Sequence, residues 1–142
     1  MANSQIAFLT RDQVPDRQRL QEAIKGLRFK LTLDEAYVPF ECSGYLPCTL
    51  DGEDAGCDLR FGDASPSLVE AEPVQAQLGD RDTAMRFRWS GDLRERTSAM
   101  IICAALAQQF GARILRPGED AFTAADRLLD EARTLCEQLQ EG

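Results

Sequence analysis

The sequence predicts an α+β fold, a ferredoxin-like β-α-β-(hairpin)-β-α-β core with an added C-terminal helix. Three observations lead there. Apolar residues recur at helical spacing in two stretches and fill a third almost completely. Short alternating segments lie between them, and a turn-rich hairpin separates two strand–helix units.

The elements follow in order. Gln5 to Thr10 reads as a first strand bounded by polar residues. Pro15 suits the first turn of a helix, where its missing N–H is no loss, and Leu20, Ala23, Ile24 and Leu27 then form a stripe at i, i+3, i+4 and i+7. Phe29, Leu31 and Leu33 alternate with Lys30, Thr32 and Asp34, the pattern of a half-buried strand. Gly44, Pro47, Gly52 and Gly56 punctuate the next stretch, read as an irregular hairpin of Tyr45–Leu50 and Cys57–Phe61 at a sheet edge that tolerates proline. Residues 63–82, with Pro66, Pro73 and Gly79, are expected to be mostly loop.

Met85, Phe87 and Trp89 share one face of the clearest strand, and Arg86 and Arg88 the other. Phe87 and Trp89 are expected in the core. Ser90 or Asp92 caps a helix that runs to Phe110 and stops at Gly111. Because residues 99–107 are apolar nearly all round, this helix is expected to be the most buried. Ala112 to Leu115 makes a last strand. Thr123 is expected to cap a final helix striped by Leu128, Leu129, Ala132, Leu135, Cys136 and Leu139. The same elements also allow a layering in which this helix covers the opposite sheet face.

A chain of 142 residues fits one domain, 1–142, large enough to bury a core without staples. No apolar run approaches the roughly 20 residues of a membrane helix, and the N-terminus carries no secretory signature, which points to the cytoplasm. Five cysteines, an odd number, argue against a complete disulfide framework. Cys42, Cys48 and Cys57 lack the close pairs of a structural zinc site, and no histidine exists to complete one, so no metal or other cofactor is expected. The absence of histidine also removes the commonest general base and the Ser-His and Cys-His nucleophiles. Asp51–Gly62 fails as a calcium loop, with glycine where the bidentate glutamate belongs.

The net charge of −8 is uneven. Residues 34–82 hold twelve acids against Arg60 and Arg81 alone, a local −10, whereas residues 1–33 carry +3 and 83–142 carry −1. Such a density of like charge is either a solvated face or a surface steered onto a cationic partner. Direct nucleic-acid binding would need clustered Lys/Arg instead. Arg86 and Arg88 have two readings: pairing with acids on neighbouring strands, or gripping a carboxylate or phosphate.

Phe87-Arg88-Trp89-Ser90-Gly91-Asp92 with Glu95, then Ala104 to Ala107 and Gly111 to Pro117, resembles small bacterial immunity-type proteins paired with polymorphic or type VI secreted toxins. The resemblance covers residues 84–117. It implies a non-enzymatic inhibitor that binds and occludes a cognate toxin. Charge assigns the contact residues as Asp34, Glu35, Glu41, Asp51, Glu53, Asp54 and Asp58, facing a basic cleft on the partner protein, with the chain a monomer or homodimer. Two other readings stay open: an adaptor or secretion chaperone that binds through the final helix, and a hydrolase built on carboxylates.

Overall fold

The computed structural model describes residues 3–64 and 72–141; Pro66 and Glu70 lie outside them. Eight strands and four α-helices follow in the order β1 (Ser4–Leu9), α1 (Arg17–Gly26), β2 (Leu31–Leu33), β3 (Ser43–Leu46), β4 (Cys48–Leu50), β5 (Glu53–Asp54), β6 (Cys57–Asp63), α2 (Glu72–Gln77), β7 (Thr83–Arg88), α3 (Leu93–Gln109), β8 (Arg113–Leu115) and α4 (Ala125–Glu141). They form two antiparallel sheets, one of five strands in the order β3-β6-β7-β1-β8 and one of three in the order β2-β4-β5. The fold is α+β.

Period-two patterning decides which face of the large sheet is closed. Ala7 and Leu9 on β1, Met85 and Phe87 on β7, Cys57 and Leu59 on β6 and Ile114 on β8 all point into the main core. Helices α1, α3 and α4 cover that face, with α3 between the other two. As expected, α3 is the most buried element, its ten consecutive residues Thr97–Leu106 shielded from solvent. Its start is fixed by Asp92, whose carboxylate accepts the Arg94 N–H at 2.7 Å, while Glu95 reaches back to the Ser90 N–H at 3.0 Å. It ends at Phe110, and Gly111 takes the left-handed conformation (φ 73°) that closes a helix.

Five expectations are corrected. The helix cap before α1 is Asp16, which accepts the Arg19 N–H at 2.8 Å, so Pro15 precedes the helix. Thr123 does not open α4; it bridges to Ile114, and its N–H donates to the Ile114 carbonyl at 2.8 Å. Residues 72–77 are helical, and Val74 and Leu78 pack with Phe8, Ala84 and Leu115 on the outer face of the large sheet. The remaining helix α4 lies on the same side as α1 and α3, since Leu128, Ala132 and Leu135 join the main core.

The fourth correction concerns the hairpin. Residues 45–50 are not one strand: the run divides at Pro47, which has no N–H to give a ladder. Before it, β3 pairs with β6, Tyr45 opposite Asp58. After it, β4 pairs with β2 and β5 in the smaller sheet, Leu33 opposite Cys48 and Thr49 opposite Asp54. Leu46, Cys48 and Leu50 nevertheless stay buried in strict alternation. The fifth concerns residues 29–33, expected as a half-buried strand of the core: only Leu31–Leu33 form one, and it belongs to the small sheet.

Candidate functional site

The seven acids chosen by charge do not make one patch. Asp51, Glu53 and Asp54 share the turn and edge strand of the small sheet, all three exposed. Asp34 follows β2 at the other end of that sheet; its N–H donates to the Pro47 carbonyl, and its carboxylate accepts the Ala36 N–H at 2.9 Å. Glu35 and Glu41 are exposed on the loop between β2 and β3. Buried Tyr37, whose hydroxyl donates to the Pro15 carbonyl at 2.9 Å, pins this loop to the start of α1.

Two acids are already engaged. Glu53 forms an ion pair with Arg94 of α3, which also donates to the Leu50 carbonyl at 3.4 Å. Asp58 is half-buried on the outer face of the large sheet and binds Arg60 Nε at 3.0 Å. Asp34, Glu35, Glu41, Asp51 and Asp54 have no cationic partner among the described residues.

The outer face of the large sheet has the opposite character. Toward one end α2 and Phe122 cover it. Toward the other, Arg60, Arg86 and Arg88 stand in the open, with Arg60 opposite Arg86 and Asp58 opposite Arg88. The side chains of Arg86 and Arg88 make no ion pair or hydrogen bond among the described residues, so the expectation of pairing with acids across strands is not met. Beside them lies a shallow depression of about 320 Å³ lined by Tyr45, Asp58, Arg60, Arg88, Trp89, Ser90 and Glu95.

Tyr45 is 63% exposed, and its ring rests on Gly56, where a Cβ would fall 2.4 Å from the ring. Glycine is required for that seat. Partial desolvation there, then the charges of Asp54 and Glu95, hold the Tyr45 phenol above its ordinary pKa against the pull of the Gly56 backbone. Phe87 is fully buried as expected, but Trp89 is only half-buried and walls the depression. Tyr45, Trp89, Arg60, Ser90 and Glu95 were not legible as a set. Only the alternation of Tyr45 with buried Leu46 and Cys48 marks it as facing outward.

Other chemistry has little to stand on. Burial pushes the Cys48 and Cys103 thiols up to about 12 and raises those of Cys57 and Cys136, so these four are protonated at neutral pH. No metal-binding group of three or more Cys, Asp or Glu occurs among the described residues. No described helix is long and apolar enough to cross a membrane. The α4 stripe expected of an adaptor is spent inside the chain, with Leu128, Ala132 and Leu135 buried and Leu129, Cys136 and Leu139 packed against the core.

No family model, curated protein or solved structure matches the chain. Function therefore rests on the surface itself: an acidic turn and edge on the small sheet, and a guanidinium-lined depression on the large one.

Proposed function

We propose that the chain is a non-enzymatic protein that docks onto and occludes a basic site of a partner protein, as a cognate immunity protein does in the cytoplasm. The observation that carries this reading is five acids without a cationic partner among the described residues, Asp34, Glu35, Glu41, Asp51 and Asp54, carried by the small sheet, its turn and the loop that follows β2. Leu31, Leu33, Leu46 and Leu50 anchor that ground in the core. Like charge spread along one packed stretch of chain opposes folding even without forming a single patch, and a complementary surface relieves it. It also accelerates encounter with a cationic partner and fixes its register.

Two further features support parts of this reading. The order β6-β7-β1-β8 leaves β1 and β6 parallel with β7 between them, and β7 and β8 parallel with β1 between them. Two interlocked β-α-β units of this kind favour a ferredoxin-like core in which β2 to β5 form an insertion carrying six of the seven acids assigned by charge. Five free thiols suit a reducing compartment. The segment that resembles immunity-type proteins corresponds to the β7-α3-β8 unit, so the likeness concerns the frame beneath the surface.

The test is to recover the partner from the native host with the chain as bait, then measure association kinetics. Reversing Asp34, Glu35, Asp51 and Asp54 to Lys is expected to slow association about tenfold or more and to flatten its salt dependence. A basic partner whose association rate is indifferent to these four reversals would overturn the proposal.

A further inference from the structure

The acidic surface leaves the outer face of the large sheet without a role, and that face is built against the character of the rest of the chain. Arg60 and Arg86 stand directly opposite each other on β6 and β7. Like charges so placed destabilise a strand pair. The other neighbour of Arg86, on β1, is Ile6, which brings no acid. Arg88 faces Asp58 on one side and Ser4 on the other, but the Asp58 carboxylate is held by Arg60 at 3.0 Å. Among the described residues one carboxylate, Asp58, thus stands among three guanidinium groups and pairs with Arg60 alone, in a chain whose net charge is −8.

Beside this cluster are two aromatic rings. Tyr45 presents its ring to solvent from the seat made by Gly56, and Trp89 stands at the end of β7. Asp58 and Glu95 add carboxylate acceptors to the same depression. Its volume of about 320 Å³ falls at the lower end of the roughly 300–1,000 Å³ usual for small-molecule sites.

We propose that this depression binds a nucleoside phosphate, with the phosphate on Arg60 and Arg88 of its lining and within reach of Arg86 beside them, and the base against Tyr45 and Trp89. Each class of lining group has a use in that ligand. Guanidinium forks match phosphate oxygens, aromatic faces stack bases, and a carboxylate accepts from amino and imino donors on a base edge. Guanine, with adjacent N–H and NH2 donors, is the base that best fits a carboxylate acceptor.

Competing ligands leave part of the site unused or opposed. A bare anion would engage the arginines and ignore both rings. An acidic peptide would meet Asp58 and Glu95 in the depression and Asp54 beside Tyr45. A long single strand would run its phosphates toward Asp51, Glu53 and Asp54. One nucleotide unit satisfies the donors and acceptors together. This site borders the acidic surface at Asp54, but its test needs no partner protein.

Titration calorimetry on the purified full chain provides the test, with GDP as the probe and guanosine and inorganic phosphate as its two halves. GDP is expected to bind at least about tenfold tighter than either half. Arg86→Gln combined with Arg88→Gln should lower GDP affinity at least about tenfold, whereas Arg96→Gln, an exposed position on α3 outside the depression, should leave it unchanged. Tyr45→Ala should weaken GDP more than phosphate. Should that variant unfold by circular dichroism, the exposed arginine pair still decides the matter. No saturable GDP binding at millimolar concentration, phosphate binding as tightly as GDP, or tighter binding of a glutamate-rich octapeptide or an oligonucleotide would each overturn the proposal.

Discussion

The two faces of the five-stranded sheet are made by the same strands and share one register, yet they have different roles. On the inner face Ala7, Leu59, Met85 and Phe87 are wholly buried beneath three helices. On the outer face Ile6, Phe8, Ala84 and Leu115 are covered or partly covered around α2 and Phe122, and the rows beyond them end in Arg60, Arg86 and Arg88. One face is closed by apolar contact. The other is closed only halfway, where charge takes over. A sheet of this kind fixes side chains as rigidly on its open rows as on its closed ones, because the closed face holds the strands in register.

The largest test of that contrast is on the inner face. Phe87→Ala removes a fully buried ring from the centre of the core and is expected to destabilise the chain by about 3–5 kcal/mol, read from urea unfolding. A loss no larger than that of a surface substitution would show that the inner face is not the closed one.

A smaller effect is expected where the helical layer is tied down. Arg116, just past β8, donates to both carboxylate oxygens of Glu131 on α4. Burial pushes the Glu131 carboxyl up, but the hydrogen bonds and charge of Arg116, with Arg127, outweigh it and leave the group below its ordinary pKa. The stabilisation is therefore present above the ordinary glutamate range and is lost as pH falls through the lowered value. Glu131→Gln should destabilise by about 1–2 kcal/mol near neutrality, between an exposed and a buried pair. The gap between variant and wild type should narrow in acid, and a gap that widens there would reverse the assignment.

The smallest effect has the opposite sign. Arg86→Glu replaces like charges across β6 and β7 with opposite ones and should stabilise the chain by about 0.2–1 kcal/mol, measured as a rise in the urea midpoint. Destabilisation would mean that Arg86 is not held against a like charge when free of ligand.

Much of the inner face was legible in the sequence. The alternation of Met85 and Phe87, the apolar run ended by Gly111 and the stripe of α4 each report one face of one element, which is local information. The outer face was harder to read. Whether Arg86 finds an acid depends on which strand lies beside it and in what register, and neither is encoded near residue 86. The hairpin failed at Pro47 for a related reason: burial alternates unbroken through Leu46, Cys48 and Leu50 while the pairing partner changes. Helix α2 was missed because a proline-bearing stretch of six residues shows too little periodicity. Charge counting found the acidic stretch but not its division, since Asp58 belongs to the large sheet and Asp51 to Asp54 to the small one.

That change of sheet at Pro47 has a mechanical consequence. Tyr45 and Thr49 are four residues apart on one taut run of chain, the first paired into the large sheet and the second into the small, with no slack loop between them. The stiff proline is the pivot, and the Asp34 N–H clasps its carbonyl from the side. Any tilt of the small sheet against the large one must therefore be taken up within the three residues Leu46, Pro47 and Cys48.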